Sequence, residues 1–226
     1  MCRMSTSSPS PAAPDQRRFS RLDRLVGPID QALRTLAGPL TSDRPYPAET
    51  AGETVTEPRE RRRIGALMRV NHAGEVAAQA LYQGQAFVSR NESLRENLLA
   101  AGREEADHLD WCSRRIEELG THVSYLSPLW YVGSFAIGAL AGLSGDRFSL
   151  GFVGETERQV SDHLQGHLEQ IPAEDSRTRA IIEQMRSDEE RHGDSAMSAG
   201  GAPLPLPVRS LMKLTAKIMT CTASRI

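Results

Sequence analysis

Residues 103–109 read REEADHL and residues 187–196 read SDEERHGDSA, so Glu-x-x-His occurs twice, as Glu105 with His108 and as Glu189 with His192. Residues three apart share one face of an α-helix, because each position turns by about 100°. Around the first pair, Leu94, Leu98, Ala101, Leu109, Cys112, Ile116 and Leu119 recur at helical spacing, with Glu105 at the centre of their stripe. Around the second pair, Ile182, Met185 and Ala196 form the stripe that contains Glu189 and His192. A single Glu-x-x-His on a helix is usually an exposed pair, but here both lie on faces that a bundle would bury.

Two neighbouring stretches repeat the pattern. Leu150, Val153, Val160, Leu164, Leu168 and Ile171 flank Glu157 and leave Glu155 on the opposite, polar side. Ile64, Met68, Ala78 and Tyr82 bracket Glu75, on a face shared with Asn71 and Gln79. Unpaired charges in an apolar core cost several kcal/mol each, so four inward glutamates require a compensating partner. A metal supplies one. Carboxylate oxygens with imidazole nitrogens suit iron, manganese or zinc, and four carboxylates neutralise two divalent ions. One Glu from each of two helices, with Glu-x-x-His from each of the other two, is the ligand set of ferritin-like di-metal bundles. The expected ligands are therefore Glu75, Glu105, His108, Glu157, Glu189 and His192.

The periodicity runs over residues 60–90, 92–119, 148–171 and 174–199, punctuated by Gly120, by Ile171-Pro172 and by Gly200-Gly201. Joins are short within each pair, whereas residues 120–147 separate the second stretch from the third. This predicts an all-α, ferritin-like four-helix bundle with one long crossover. Residues 1–58 hold eight of the 13 prolines. They are expected to comprise a disordered leader over 1–16, a short amphipathic helix over 17–38 and a linker from Pro45, with the bundle domain spanning 59–226. A formal charge of −2 provides no basic field for nucleic acid. Three cysteines without Cys-x-x-Cys exclude a disulfide scaffold or thiolate zinc module, and 5% aromatics argue against a β-sandwich.

The segments RVNHAGEVAAQALYQGQ around Glu75, REEADHL, GFVGETERQVSDHL around Glu157 and SDEERHGDSA resemble the demethoxyubiquinone hydroxylase family of ubiquinone biosynthesis. The similarity runs from about Arg59 to the C-terminus and more loosely over Arg21 to Gly38. It implies two iron ions per chain on the same six residues, with Glu105 and Glu189 bridging. It also implies a monooxygenase that uses O2 to hydroxylate the ring of a polyprenyl demethoxyubiquinol, peripherally on the cytoplasmic side of the cell membrane, alongside other ubiquinone-biosynthesis proteins.

From Leu119 to Gly145 there is no Asp, Glu, Lys or Arg, and the centre reads PLWYVGSFAIGALAGL. A single membrane crossing there would strand Glu105 and His108 across the bilayer from Glu157, Glu189 and His192. The segment must return to its starting side, either as a buried crossover helix or by insertion at the membrane interface. The C-terminal stretch carries Arg209, Lys213, Lys217 and Arg225 and no acid, beside Leu211, Leu214 and Ile218. It reads as an amphipathic helix, either on anionic lipid or solvated over the bundle. His163 and His167 offer a rival i, i+4 zinc pair, Cys112 reads as packing, and His72 is placed to support Glu75. Two other functions fit parts of this pattern: a ferroxidase or peroxidase of the rubrerythrin type, and a non-enzymatic membrane-associated helical scaffold.

Overall fold

The computed structural model describes residues 21–38 and 42–226, and the leader expected over 1–16 lies outside them. Among the described residues all regular structure is helical: α1 (Arg21–Ala37), α2 (Pro58–Val88), α3 (Glu92–Glu118), α4 (Ser127–Leu143), α5 (Asp146–Leu168), α6 (Ser176–Ser198) and α7 (Leu206–Ala223). Local chemistry fixes the ends. Pro58 opens α2 where its missing N–H leaves nothing unsatisfied. The Asn91 side chain accepts from the Leu94 amide at 3.3 Å to cap α3, and Asp175 accepts from the Thr178 amide at 3.0 Å to cap α6. Gly120 (φ 69°) and Gly200 (φ 107°) take the left-handed turn that ends α3 and α6.

Helices α2 and α3 form one hairpin and α5 and α6 a second, and α4 is the crossover between them. It lies along α2 in the most extensive helix pair of the fold. Glycine makes that approach possible. A Cβ on Gly138 would collide with the Leu81 carbonyl oxygen, and one on Gly84 with that of Phe135. The outer side of α4 remains apolar and open, with Leu129, Val132, Leu140 and Leu143 each more than half exposed. Among the described residues, no helix is long and apolar enough to cross a membrane.

Two apolar clusters fill the bundle, one at either end. The first gathers Ile64, Met68, Trp111, Cys112, Ile116, Leu164, Ile181, Ile182 and Met185. The second gathers Tyr82, Ala86, Leu94, Leu98, Val153 and Ala196. Along every one of the four helices the predicted ligands fall between the two clusters: Glu75 between Met68 and Tyr82, Glu105 and His108 between Leu98 and Trp111, Glu157 between Val153 and Leu164, and Glu189 and His192 between Met185 and Ala196.

The stretch expected as a linker from Pro45 packs against the first cluster, to which Tyr46, Ala48 and Val55 belong. It also delivers Glu53 to Arg115, a fully buried guanidinium that further meets Glu118 at 3.0 Å, Asp175 at 3.3 Å and Thr178 Oγ1 at 2.9 Å. Helix α7 lies across α2 and α5, with Leu211, Leu214 and Ile218 each more than half exposed. Arg69 fastens its end, donating to the His122 carbonyl at 2.7 Å, Thr121 Oγ1 at 2.7 Å and the Ser224 carbonyl at 3.4 Å. Arg209 turns toward the bundle and pairs with Glu155 at 3.1 Å. Glu155 thus lies on the side opposite Glu157, but under α7 rather than in solvent.

Replacing Gly138 with Val should force α4 away from α2 and lower the thermal midpoint, at a cost of about 1–3 kcal/mol or more. A midpoint equal to that of the parent protein would show that α4 does not depend on this contact.

Candidate metal centre

The ligand atoms of Glu75, Glu105, His108 and Glu189 all lie within 4.8 Å of one another, and all four residues are buried. His108 Nδ1 has three acid oxygens around it: Glu105 Oε2 at 3.0 Å, Glu189 Oε1 at 3.1 Å and Glu75 Oε2 at 3.7 Å. His192 presents its own Nδ1 to the other oxygens of the same two acids, Glu105 Oε1 at 3.1 Å and Glu189 Oε2 at 3.5 Å. Glu105 and Glu189 thus each split their two oxygens between the two histidines. Glu157 is equally buried and accepts a hydrogen bond from the Tyr82 hydroxyl at 2.5 Å.

Hydrogen bonding leaves this group incomplete. Glu105 Oε1, both oxygens of Glu189 and His192 Nδ1 are buried without a hydrogen-bond partner. Such atoms are costly unless something else satisfies them. A cation does so, and lone pairs that converge from three carboxylates and an imidazole are the donor set iron, manganese and zinc accept. The residues present therefore fit a metal.

The charges point the same way. Burial pushes the Glu75 carboxyl up to about 8; the His108 contact opposes the rise, and the charges of Glu189 and Glu105 add to it. Burial, and then the charges of Glu189 and Glu105, raise Glu157 well above the usual carboxylate range. Burial disfavours the charged form of His192, yet its contacts with Glu105, Glu189 and Glu104 outweigh this and carry it up to about 11. Without metal, protons take over part of the charge balance.

The outer nitrogen of each histidine is held by an acid from the opposite hairpin. His108 Nε2 meets Asp188 Oδ2 at 3.0 Å, and His192 Nε2 meets Glu104 Oε2 at 3.0 Å. Asp188 and Glu104 are the residues immediately before Glu189 and Glu105, turned about 100° away from them and so toward the neighbouring helix. Arg191 contacts both acids, at 2.9 Å and 3.2 Å, and Arg44 bonds Asp188 at 2.7 Å. An acid on the second ring nitrogen fixes the tautomer and aims the first nitrogen inward. Helical periodicity marks Tyr82 only as part of the apolar stripe around Glu75 and does not mark Glu104 or Asp188. The acid directly before each Glu-x-x-His was the available signal for these two.

The remaining expectations divide. Cys112 is fully buried with Sγ 3.8 Å from Met185 Sδ, a packing contact. The His163 and His167 rings lie tilted at 59° with centroids 4.1 Å apart, but among the described residues no third ligand joins them. His72 is buried and makes no hydrogen bond to Glu75 among the described residues; burial lowers its pKa to about 4.

A cavity of about 610 Å3 opens between α2, α4, α5 and α7 and reaches Glu75. Its walls are mostly apolar, among them Val70, Ala78, Leu81, Ile137, Phe152, Val160 and Leu164, with Lys213 and Lys217 of α7 at its border.

The family model described as ubiquinone biosynthesis protein COQ7 matches residues 62–223. A protein of Cupriavidus metallidurans named 3-demethoxyubiquinol 3-hydroxylase is 53% identical over 207 residues, covering 91% of this chain and 100% of its own length. Proteins of the same name from Nitrosococcus oceani and Bordetella bronchiseptica are 54% and 53% identical, covering 92% and 97% of this chain and 97% and 99% of their own.

Two outcomes follow from the geometry. Asp188→Asn should weaken metal binding by about 10–100-fold, read by competition with a chromophoric chelator; unchanged affinity would remove Asp188 from the support of His108. The second concerns pH. Glu75 contributes stability in its protonated form, present below its ordinary 4.5 and lost as pH rises through about 8. His192 contributes stability that is full below its ordinary 6.5 and lost through about 11. The rise in thermal midpoint on adding metal should therefore grow with pH across this window; a gain that shrinks with rising pH would contradict the assignment.

Proposed function

The chain belongs to the ubiquinone biosynthesis protein COQ7 family, and on that premise we propose that it is a 3-demethoxyubiquinol 3-hydroxylase, a di-iron monooxygenase of ubiquinone biosynthesis. The observation that carries this reading is the apolar cavity that ends on Glu75, one member of the buried ligand cluster. Glu75 and His108 would hold one iron, Glu157 and His192 the other, and Glu105 and Glu189 would be shared between them. Bound there, two ferrous ions would supply the redox chemistry for O2-dependent hydroxylation of the unsubstituted ring carbon.

The protein's own part is orientation, charge balance and dryness. The two apolar clusters close the bundle above and below the ligands, so that the cavity is the wide approach to Glu75. A ring entering between α2 and α5 meets Glu75, while an isoprenoid tail lies against Leu81, Ile137 and Phe152. His108 and His192 stay in one tautomer because Asp188 and Glu104 hold their outer nitrogens. The bundle over 59–226 is the di-iron unit, and residues 42–57 brace it through Arg44 and Glu53.

The substrate's tail dissolves in lipid, and the cavity border suits entry from there. Val132 and Leu140 on α4 and Leu211, Leu214 and Ile218 on α7 are exposed, and Lys213 and Lys217 stand beside them. Such a rim docks peripherally on an anionic membrane surface, at the cytoplasmic side, where other ubiquinone-biosynthesis proteins would exchange substrate and product.

Cells lacking this protein should accumulate the demethoxy precursor, and quinone extraction reads this directly; a normal quinone profile overturns the proposal. Rapid oxidation of Fe(II), or rapid reduction of peroxide, by the purified protein, without hydroxylation when quinol is supplied, would favour the ferroxidase or peroxidase instead. Purified protein should sediment with anionic vesicles, and a Val132→Glu, Leu140→Glu variant much less; equal recovery would remove α4 from the membrane contact.

A further inference from the structure

The cavity contains a polar side chain that the ligand set does not use. Asn71 lies one helical turn before Glu75 on α2, lines the cavity, and is only 3% exposed. Its Oδ1 has no hydrogen-bond partner, and its Nδ2 has only the Met68 thioether at 3.9 Å, a weak acceptor. Two polar groups on the walls are already engaged: the Thr156 hydroxyl donates to the Phe152 carbonyl at 2.9 Å, and the Gln159 amide to Glu155 at 2.7 Å. Trp130 Nε1 and His163 Nε2 are also unpartnered, but they stand on α4 and α5, whereas Asn71 shares the face of Glu75. A buried amide left half-satisfied destabilises the empty fold, and it makes chemical sense where a ligand completes it.

We propose that Asn71 binds a ring hydroxyl of the quinol and so sets which ring edge faces Glu75. The inference rests on reading the cavity as the quinol site. A quinol hydroxyl both donates and accepts, so it can give its proton to Oδ1 or take one from Nδ2, and the amide can rotate to suit either. An apolar wall alone would hold the ring without choosing its orientation. A site built to bond a hydroxyl discriminates strongly against an analogue lacking the donor.

In the dimethyl ether of a tail-free methoxy-methyl hydroquinone, two methyl groups replace the hydroxyl protons, so its ring oxygens can accept but not donate. Trp130 lines the cavity, so quenching of its fluorescence under nitrogen reports binding of either compound. The iron-loaded parent protein should bind the hydroquinone about tenfold more tightly than the ether. Asn71→Leu should bring the two affinities together while iron content stays at the parent level. In the quinol-free protein, the same change should leave the thermal midpoint equal or higher, because it replaces an unsatisfied amide with an apolar group of similar size. A tenfold preference that survives in Asn71→Leu, or in Asn71→Ala should the first variant not fold, overturns the role of Asn71 and leaves the cavity reading standing. Failure of the parent protein to bind either compound overturns the cavity reading and the proposal with it. In turnover, kcat/KM should fall while iron content stays at the parent level; an unchanged kcat/KM would also count against Asn71.

Discussion

Four glutamate side chains in the middle of an apolar bundle are the constraint around which this structure is arranged. Their mutual repulsion and lost hydration are only partly offset by hydrogen bonds, since several of their oxygens and one imidazole nitrogen have none. Apolar packing can seal such a group but cannot stabilise it. The two core clusters, the reciprocal bonds to the histidines and the buried Arg115 network together hold in place a charged centre whose donor set fits a cation.

The molecule is polarised around that centre. On the side of α3 and α6, carboxylates and arginines reach toward solvent in a connected chain from His108 and His192 through Asp188 and Glu104 to Arg44 and Arg191. On the side of α2, α4, α5 and α7 the lining is hydrocarbon, and the exposed faces of α4 and α7 continue it outward. Charged side chains belong to one flank and an apolar lining to the other, with Glu75 at the inner end of the apolar one.

Much of this was legible in the sequence because helical periodicity is a strong signal over long stretches. The four main helices begin and end within about three residues of the apolar repeats, and caps such as Asn91 and turns such as Gly120 mark the limits. Both Glu-x-x-His pairs were visible because the surrounding stripe made a buried acid conspicuous. Partners across the bundle were not. Nothing local tells Glu104 that it will meet His192, 88 residues away, or Tyr82 that its hydroxyl will meet Glu157. A Pro-rich segment such as that from Pro45 looks like a linker by composition, yet single residues in it, Tyr46 and Val55, are enough to dock it. Likewise the charge of Arg209 marked α7 as basic, whereas its position over Glu155 depends on how α7 crosses the bundle.

The crossed bonds from Asp188 to His108 and from Glu104 to His192 join two hairpins that are separate in sequence. Each hairpin carries the histidine the other must orient, so neither holds a complete half-site. The geometry therefore couples the two hairpins: loss of the outer acid from one leaves the histidine of the other unsupported. Exchanging one hairpin between distant relatives would disturb both histidines at once, which makes the pair, rather than the single helix, the smallest unit that can be inherited intact.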